Sequence, residues 1–499
     1  MKRDVLAASA AGMMLVGSLT GAHAADSDAM VTKAPPAIIS PAAPTHCTGF
    51  SDFFLTDCQL YGYGVRFYGT IDMGYGYHTH GAPYNPFYGS GTNYQLGRAS
   101  RQSMWVRSPN ALSQSNVGIS IKEPLGLGWT FLGQVETAFN PYSMNIANVT
   151  HSLLENRGVP LNQQTAASDS ALNGTWYGGI GYAGISNDTY GTLTVFRQRS
   201  LMADVIRAND SMNTSYAFSP LGYSSLAAGG GSSQVSKPNT AVKYTVNINN
   251  FRLGAFALFG GYDLGNGAQE AYEGQVGGDF KIGPGLLTLD VVGGMAKDAV
   301  SLSLGGTAIT QTPFTATVAD TKNVLVAGTY KVNKLKLSAG YEWIDYSPPS
   351  NPISINGQGF DTIAGDFVCL GCTNINGTNI NNTAYSASNG TKDKVLQYTW
   401  LGARYSVTET LDVAIAWYHV DQNNYAASKA NLLGCVGNSR SGSFCAGSTD
   451  TTSALVDWQF LPKWDTYLGI AYSQGAGGMN SGYLARNDLA TTAGVRFRW

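Results

Sequence analysis

The chain has 499 residues and a formal net charge of −2, and only 12% of its residues are charged. This charged fraction is about half that of ordinary globular domains, which argues against a string of soluble domains. The balanced charge gives no sign of a nucleic-acid partner. Gly (61) and Tyr (28) are abundant, and no apolar run after the first 24 residues has the length of a membrane helix. The composition favours an all-β protein, a transmembrane β-barrel with an uncharged outer wall and aromatic rims.

The first 24 residues have the pattern of a secretory signal peptide. Lys2 and Arg3 precede a stretch rich in Ala, Gly, Met and Leu, which ends in the small-x-small sequence Ala22-His23-Ala24. The alternative is an N-terminal membrane helix, although the glycines make this stretch weakly hydrophobic. We predict export and cleavage after Ala24.

The rest of the chain divides into a tether and a barrel. Residues 25–59 include the Pro-rich stretch "KAPPAIISPAAP" and carry Cys47 and Cys58, so we predict an extended periplasmic tether. Residues 60–499 then form a single barrel domain.

Segments of alternating polarity recur from residue 65 to the end and predict sixteen antiparallel strands. Connections after even-numbered strands have at most seven residues, whereas most others are far longer, such as 200–238 and 347–393. Outer-membrane barrels have this asymmetry, with short periplasmic turns and long extracellular loops. The predicted strands are 65–77, 115–122, 129–139, 175–184, 192–199, 241–248, 251–260, 272–282, 286–296, 323–332, 334–346, 395–407, 411–420, 453–461, 465–474 and 489–499.

Each predicted strand has one face for lipid and one for water. Leu287 and Leu289 alternate with Thr288 and Asp290, whereas residues 395–407 carry Leu and Trp on both faces. Only a closed barrel satisfies every backbone N–H and C=O in lipid, and sixteen strands leave an aqueous channel. Acids predicted on the lumen side are Glu136, Asp290 and Asp412.

Four stretches resemble the general porins of Gram-negative bacteria, and most closely those of α-proteobacteria. "FYGTIDMGYGY" (67–77) resembles the family's first strand, and "SNVGISIKEPLGLGWTFLGQVETAF" (115–139) resembles the next part of its sequence. "YGTLTVFRQRS" (190–200) resembles the strand before the pore-constricting loop, and "TAGVRFRW" (492–499) resembles the last strand. The resemblance implies a sixteen-stranded homotrimer in the outer membrane, in contact with lipid and lipopolysaccharide. It further implies passive diffusion of small polar solutes and ions, without a cofactor.

The resemblance also implies that the third long loop folds into the lumen, with its acids opposite basic residues of the wall. Here that connection is 200–238, and its acids are Asp204 and Asp210. The alternative is that both are ordinary solvated loop acids. Lys243 in the following strand matches a basic position of the family, and alternation directs its side chain into the pore.

Arg197 and Arg199 are the other basic candidates for the constriction. They share a face with Leu193 and Val195, which regular alternation would turn toward lipid. Either the strand bends at Phe196, or the arginines extend to water at the outer rim.

Three positions depart from the family pattern. Asn116 stands where relatives often have Arg, and Thr70 stands where they can have Lys, so the constriction is less basic than usual. Val495, Phe497 and Trp499 resemble the family's outer-membrane assembly signal, with Trp499 in place of the usual Phe. The resemblance therefore leaves ion preference open.

Six cysteines fall into three local pairs. They allow fifteen connectivities, of which local disulfides are the simplest in an oxidising periplasm. A redox centre or a metal site is the alternative at the CxxC sequence, but its Gly/Asn-rich surroundings favour a loop staple. The predicted pairs are Cys47 with Cys58, Cys369 with Cys372, and Cys435 with Cys445.

Motifs of catalysis are sparse. No G-x-S-x-G sequence is present. His78 and His80 have a spacing that suits a metal, but two loop histidines are the simpler interpretation. We predict a channel and no enzyme, metal or cofactor. The alternatives are a substrate-specific channel of the same architecture and, more distantly, an enzyme built on an outer-membrane barrel.

Overall fold

The computed structural model describes most of the predicted barrel domain. The described residues are 47–81, 97–144, 179–223, 237–260, 268–304, 314–347, 393–424, 446–480 and 484–499, except 57, 59, 63, 99 and 239, together with 160, 350, 361–363 and 366–368. The predicted signal peptide and the Pro-rich stretch lie outside these residues. None of the described helices is long and apolar enough to cross a membrane.

Sixteen strands form a closed antiparallel barrel, as predicted. They are β1 (Val65–His78), β2 (Met104–Pro109 and Asn116–Gly126), β3 (Trp129–Ala138), β4 (Ile180–Asn187), β5 (Gly191–Arg197), β6 (Ala241–Ile248), β7 (Phe251–Leu258), β8 (Glu270–Ile282), β9 (Gly285–Leu304), β10 (Phe314–Val332), β11 (Leu335–Ser347), β12 (Lys394–Ser406), β13 (Leu411–Gln422), β14 (Gly447–Leu461), β15 (Trp464–Gly477) and β16 (Asn487–Arg498).

The last strand closes the barrel against the first. Met73 lies opposite Val495, and Ile71 lies opposite Phe497. Beyond the strand end, Gly69 and Trp499 exchange both backbone hydrogen bonds, at 3.1 and 3.0 Å. This pairing leaves neither β1 nor β16 with an unpaired edge in lipid.

The outer face is apolar and carries aromatic residues at both rims. Outward side chains at mid-strand positions are exposed, for example Val291, Val326, Ile415 and Leu468. Exposed aromatic residues near the short turns are Phe251, Tyr405, Trp458 and Phe460, and those near the long connections are Phe259, Tyr272, Trp417 and Tyr472. Aromatic belts of this kind mark the two membrane–water interfaces.

The inner face holds the acids that alternation assigned to it. Asp290 is paired with Arg252 of β7 at 3.1 Å, and Asp412 is paired with Arg404 of β12 at 3.2 Å. Glu136 also lies on the buried face of its strand. The two ion pairs join β7 to β9, across β8, and β12 to β13.

Several strands differ from their predicted bounds, and β9 and β10 are each nine residues longer than predicted. Two of the differences have a local cause. The turn after β4 begins later than expected, because the Asn187 carboxamide accepts the N–H groups of Thr189 and Tyr190 and forms an Asx turn. β2 is interrupted at residues 110–115, because Asp72 accepts the N–H groups of residues 112 and 113 and draws the chain out of the ladder.

Short elements complete the described chain. Three helices are α1 (Phe50–Leu55), α2 (Leu201–Ala208) and α3 (Pro220–Tyr223), and Gly478–Asn480 form a 3₁₀ turn. Strand Leu60–Gly62 pairs with the start of β1, and Asp361–Ile363 pairs with Asp366–Val368.

One of the three predicted disulfides falls within the described residues. A disulfide joins Cys47 to Cys58 across α1, with 4.9 Å between the Cα atoms, which confirms local pairing for these two cysteines. The four cysteines of the other two predicted pairs all lie outside the described residues, so both pairs stay predictions. These pairs are Cys369 with Cys372 and Cys435 with Cys445.

Candidate functional site

Residues 200–223, here called the inner loop, follow β5 and pack against the inner face of the wall. Their apolar side chains form one cluster with inward side chains of β7–β14. The loop members are Leu201, Met202, Val205, Ile206, Met212, Phe218 and Leu221, and the wall members include Phe256, Val292, Leu325, Ile344, Leu396, Trp400, Tyr418 and Leu455. The second apolar face of residues 395–407 is thereby explained, since it covers the inner loop.

Both ends of α2 are held by wall residues whose charges complement the helix dipole. At its start, Oε2 of Glu273 in β8 accepts the N–H of Met202 at 3.1 Å. At its end, Nζ of Lys336 in β11 donates to the carbonyl of Ala208 at 2.9 Å. An acid at a helix N-terminus and a cation at its C-terminus are both stabilising. The wall therefore fixes α2 at two points.

The chain after α2 is anchored on strands beyond the middle of the sequence. Nε1 of Trp400 donates to the carbonyl of Asn209 at 3.0 Å. The ring of Phe218 lies edge-on to Tyr467, with 6.4 Å between ring centroids. It occupies space at Gly469, where a Cβ atom would collide with it. Together with the ion pair to β6 described below, the inner loop contacts the wall from β6 to β15.

Asp210 lies within this anchorage, which differs from the expectation that it faces a basic cluster. Its carboxylate accepts the N–H groups of Met212 and Thr214 at 3.1 and 2.7 Å. It also accepts the hydroxyl of Tyr418 in β13 at 2.6 Å, and the residue is 1% exposed. Local backbone donors and one wall hydroxyl occupy this acid, so it holds the loop.

Asp204 of α2 and Lys243 of β6 form an ion pair. Nζ of Lys243 lies 2.9 Å from Oδ2 of Asp204 and donates to the carbonyl of Arg199 at 3.2 Å. The Asp204 side chain is 27% exposed, which leaves it in reach of water. A loop acid thus faces a wall cation here.

The strand before the inner loop loses its alternation at Phe196, where φ is +82°. This left-handed conformation means that Leu193 and Val195 do not determine the direction of the next side chain. Nε of Arg197 donates to the carbonyl of Gly179 at 2.8 Å, and the residue is half-buried. Of the two alternatives from the sequence, the bend at Phe196 is the one observed.

Arg199 belongs to a cluster with two cations that sequence analysis did not single out. The charge of Arg199, together with burial, lowers the pKa of Arg207 in α2 to about 10. Burial and the charge of Arg199 lower the pKa of Lys237 to about 7. The carboxylate of Glu136 acts in the opposite direction on both, and burial raises the pKa of Tyr216. Arg207 lies one helical turn after Asp204, a spacing that would have indicated it.

Glu136 belongs to a polar network of the wall. Oε2 of Glu136 accepts the hydroxyl of Tyr68 at 2.8 Å, and the Gln134 carboxamide donates to the same hydroxyl. Thr70 and Asn116 lie directly opposite each other on β1 and β2, and both are buried. These two positions therefore contribute neutral groups to the inner wall.

The histidines lie apart from the cluster. Nδ1 of His78 is 2.7 Å from Oδ2 of Asp488 in β16, and the backbone N–H of His80 donates to the same carboxylate. Within the described part of the chain, no group of three or more His, Cys, Asp or Glu residues has the arrangement of a metal site.

The fold is similar to that of several solved bacterial proteins. An anion-selective porin from Comamonas acidovorans has 13% identity and a TM-score of 0.52, with 87% of this chain and 99% of that chain covered. OmpT of Vibrio cholerae, folded in vitro, has 13% identity and a TM-score of 0.50, with 88% and 99% covered. OprB of Pseudomonas putida has 10% identity and a TM-score of 0.50, with 87% and 94% covered.

No curated protein sequence matched the chain. A family model did match, and it spans residues 7–478. With the closed barrel of sixteen strands, this match shows that the chain belongs to the Gram-negative porin family, the channels of the bacterial outer membrane.

Proposed function

We propose that this porin passes small hydrophilic solutes down their gradients and favours anions. The observation that carries the proposal is the excess of cations beside the inner loop, where Arg197, Arg199, Arg207 and Lys237 lie near Glu136. Fixed charges along a narrow aqueous passage bias ion selectivity by their sign. A passive channel of this kind needs no catalytic groups.

We infer that the constriction is lined by Arg197, Arg199 and Lys243 from the wall side and by Asp204 from α2. The ion pair between Asp204 and Lys243 and the partial exposure of Asp204 support this assignment. Thr70 and Asn116 are neutral and buried, so they add no charge to this part of the wall. Relatives can carry basic residues at the positions of Thr70 and Asn116. Here Arg207 of the inner loop and Arg197 of β5 supply positive charge instead.

Planar-bilayer recording tests the proposal. Purified protein should give ion current, and its reversal potential in a salt gradient should have the sign of anion preference. Asp204→Asn should increase that preference, because it releases the charge of Lys243. Asp188→Asn, in the exposed short turn after β4, is the control of equal charge change, and it should leave selectivity unaltered. Absence of current would refute the channel proposal and favour a barrel enzyme. Block of the current by one solute would favour a substrate-specific channel.

We further propose that the porin is a homotrimer surrounded by phospholipid and lipopolysaccharide. β4, β5, β6 and β7 have eight, seven, eight and eight residues. A tilted strand needs about 9–11 residues to span a bilayer. This sector is therefore expected to lie against another copy of the chain. Mass measurement in detergent should give three copies, and a monomer under all mild detergents would refute it.

A further inference from the structure

Residues 47–58, here called the cap, are closed into a loop by the Cys47–Cys58 disulfide and contain α1. The cap packs on the outside of the barrel. The ring of Phe54 stacks on Phe497 with 5.3 Å between centroids, and Phe53 lies edge-on to Phe497 at 5.8 Å. Phe497 shares its face of β16 with Val495, which points outward. The cap therefore sits on the lipid side of the wall, at the rim of the short turns.

Hydrogen bonds from the turn between β14 and β15 hold α1 in place. Nζ of Lys463 donates to the carbonyl of Phe53 at 2.9 Å and lies 4.8 Å from the centroid of its ring. Nε1 of Trp464 donates to the carbonyl of Phe54 at 3.0 Å. A cation and an indole N–H at the last carbonyls of the helix satisfy groups that have no partner within α1.

The remaining face of α1 is apolar and unusually open. Phe50 is 83% exposed and Leu55 is 55% exposed. The single charged residue of α1, Asp52, is turned to the helix ends, where it accepts the N–H of Thr48 at 2.8 Å and the hydroxyl of Thr56 at 2.7 Å. The surface of α1 around Phe50 and Leu55 is therefore uncharged and suits an apolar environment.

We propose that the cap is a membrane-interface anchor, which places Phe50 and Leu55 among the phospholipids of the periplasmic leaflet. The cap continues the aromatic belt of the outer wall, where Trp458 and Phe460 of the adjacent β14 are exposed at the same rim. Aromatic and aliphatic side chains at this depth are stabilised at the boundary of headgroups and acyl chains.

Phospholipid is favoured over a second copy because of where the cap lies. It packs on Trp464 at the start of β15 and on Phe497 and Trp499 at the end of the chain, whereas the described barrel strands too short to span a bilayer are β4–β7. The neighbouring β14 and β15, with fifteen and fourteen residues, are long enough to cross the bilayer. The cap thus borders a sector of the wall that meets lipid.

Site-specific photo-crosslinking in outer-membrane vesicles tests the proposal. p-Benzoylphenylalanine replaces Phe50; it keeps the ring that contacts Phe54, and the 83% exposure leaves room for the benzoyl group. Irradiation should give a phospholipid adduct identified by mass. The same probe at Ile415, outward at mid-barrel, should also capture lipid. At Leu127, which is 99% exposed in a short turn, it should give little adduct.

The outcomes separate the possible occupants. Capture of a second copy or of a periplasmic protein at position 50 would overturn the proposal. No adduct there, with an adduct at position 415, would overturn it as well. In the Lys463→Met background the adduct at position 50 should fall severalfold while that at position 415 stays constant. An unchanged yield would mean that docking on the wall does not bring the cap to lipid.

Discussion

Lys237 should make ion selectivity depend on pH near neutrality. Its pKa of about 7 means that the ammonium is about 90% protonated at pH 6 and about 10% protonated at pH 8. The site therefore loses about 0.8 of an elementary charge over this range. Four cations against Glu136 give a local charge of about +3 at pH 6, which falls to about +2 at pH 8. Because the lost charge is positive, anion preference should decline as pH rises.

Two variants set the limits of this change. Lys237→Arg keeps the positive charge at both pH values, since a guanidinium does not deprotonate in this range. Lys237→Met removes it at both. The reversal potential of the unaltered porin should match Lys237→Arg at pH 6 and approach Lys237→Met at pH 8. The assay is the reversal potential of purified protein in a planar bilayer under a fixed KCl gradient.

The comparison also separates Lys237 from other titrating groups. A pH slope present in all three proteins would come from other titrating groups. If the unaltered porin does not move from one limit to the other, the reasoning about Lys237 is refuted. Equal reversal potentials for the two variants would show that position 237 lies outside the ion path.

Three further changes have defined outcomes. Lys336→Met removes the cation from the end of α2, at about 1–3 kcal/mol for one charged hydrogen bond, and should increase current noise and conductance substates. The pair Cys47→Ser and Cys58→Ser opens a loop of sequence separation 11, at about 3 kcal/mol, and should expose the cap to protease without abolishing current. Gly69→Ala should slow membrane insertion, because a Cβ there collides with the Trp499 ring; Trp499→Phe removes the colliding atoms and should restore insertion.

Each of these has its own control. Lys331→Met, an equal charge change opposite Lys336 in the strand pairing, should leave the current quiet; equal noise in both variants would contradict the role of Lys336. In the unaltered porin, reduction and alkylation of Cys47 and Cys58 should likewise expose the cap to protease. A protease-resistant double variant would show that packing alone holds the cap. Trp499→Phe alone should be tolerated. If Trp499→Phe does not restore the insertion of Gly69→Ala, the steric explanation is wrong.

The sequence predicted the barrel because lipid imposes a local rule on every strand. Inside a bilayer each side chain meets either lipid or the lumen, so polarity alternates along the chain and can be read from it. β6 has the predicted bounds, 241–248, and most other strands differ by a few residues at their ends. The interruptions escaped prediction because they rest on single side chains: the Asp72 carboxylate at β2 and the backbone conformation of Phe196 at β5.

What the sequence determined by itself was therefore the number and order of strands, the direction of their side chains and the closing role of the last strand. The tertiary structure decided where the loop charges go. Asp210 meets Tyr418 across 208 residues, and α1 meets the turn at Lys463 across 410. Contacts at such separations have no local pattern in the chain. The distinction between an acid that holds the inner loop and one that faces Lys243, like the position of the cap on the outer wall, exists only in the folded barrel.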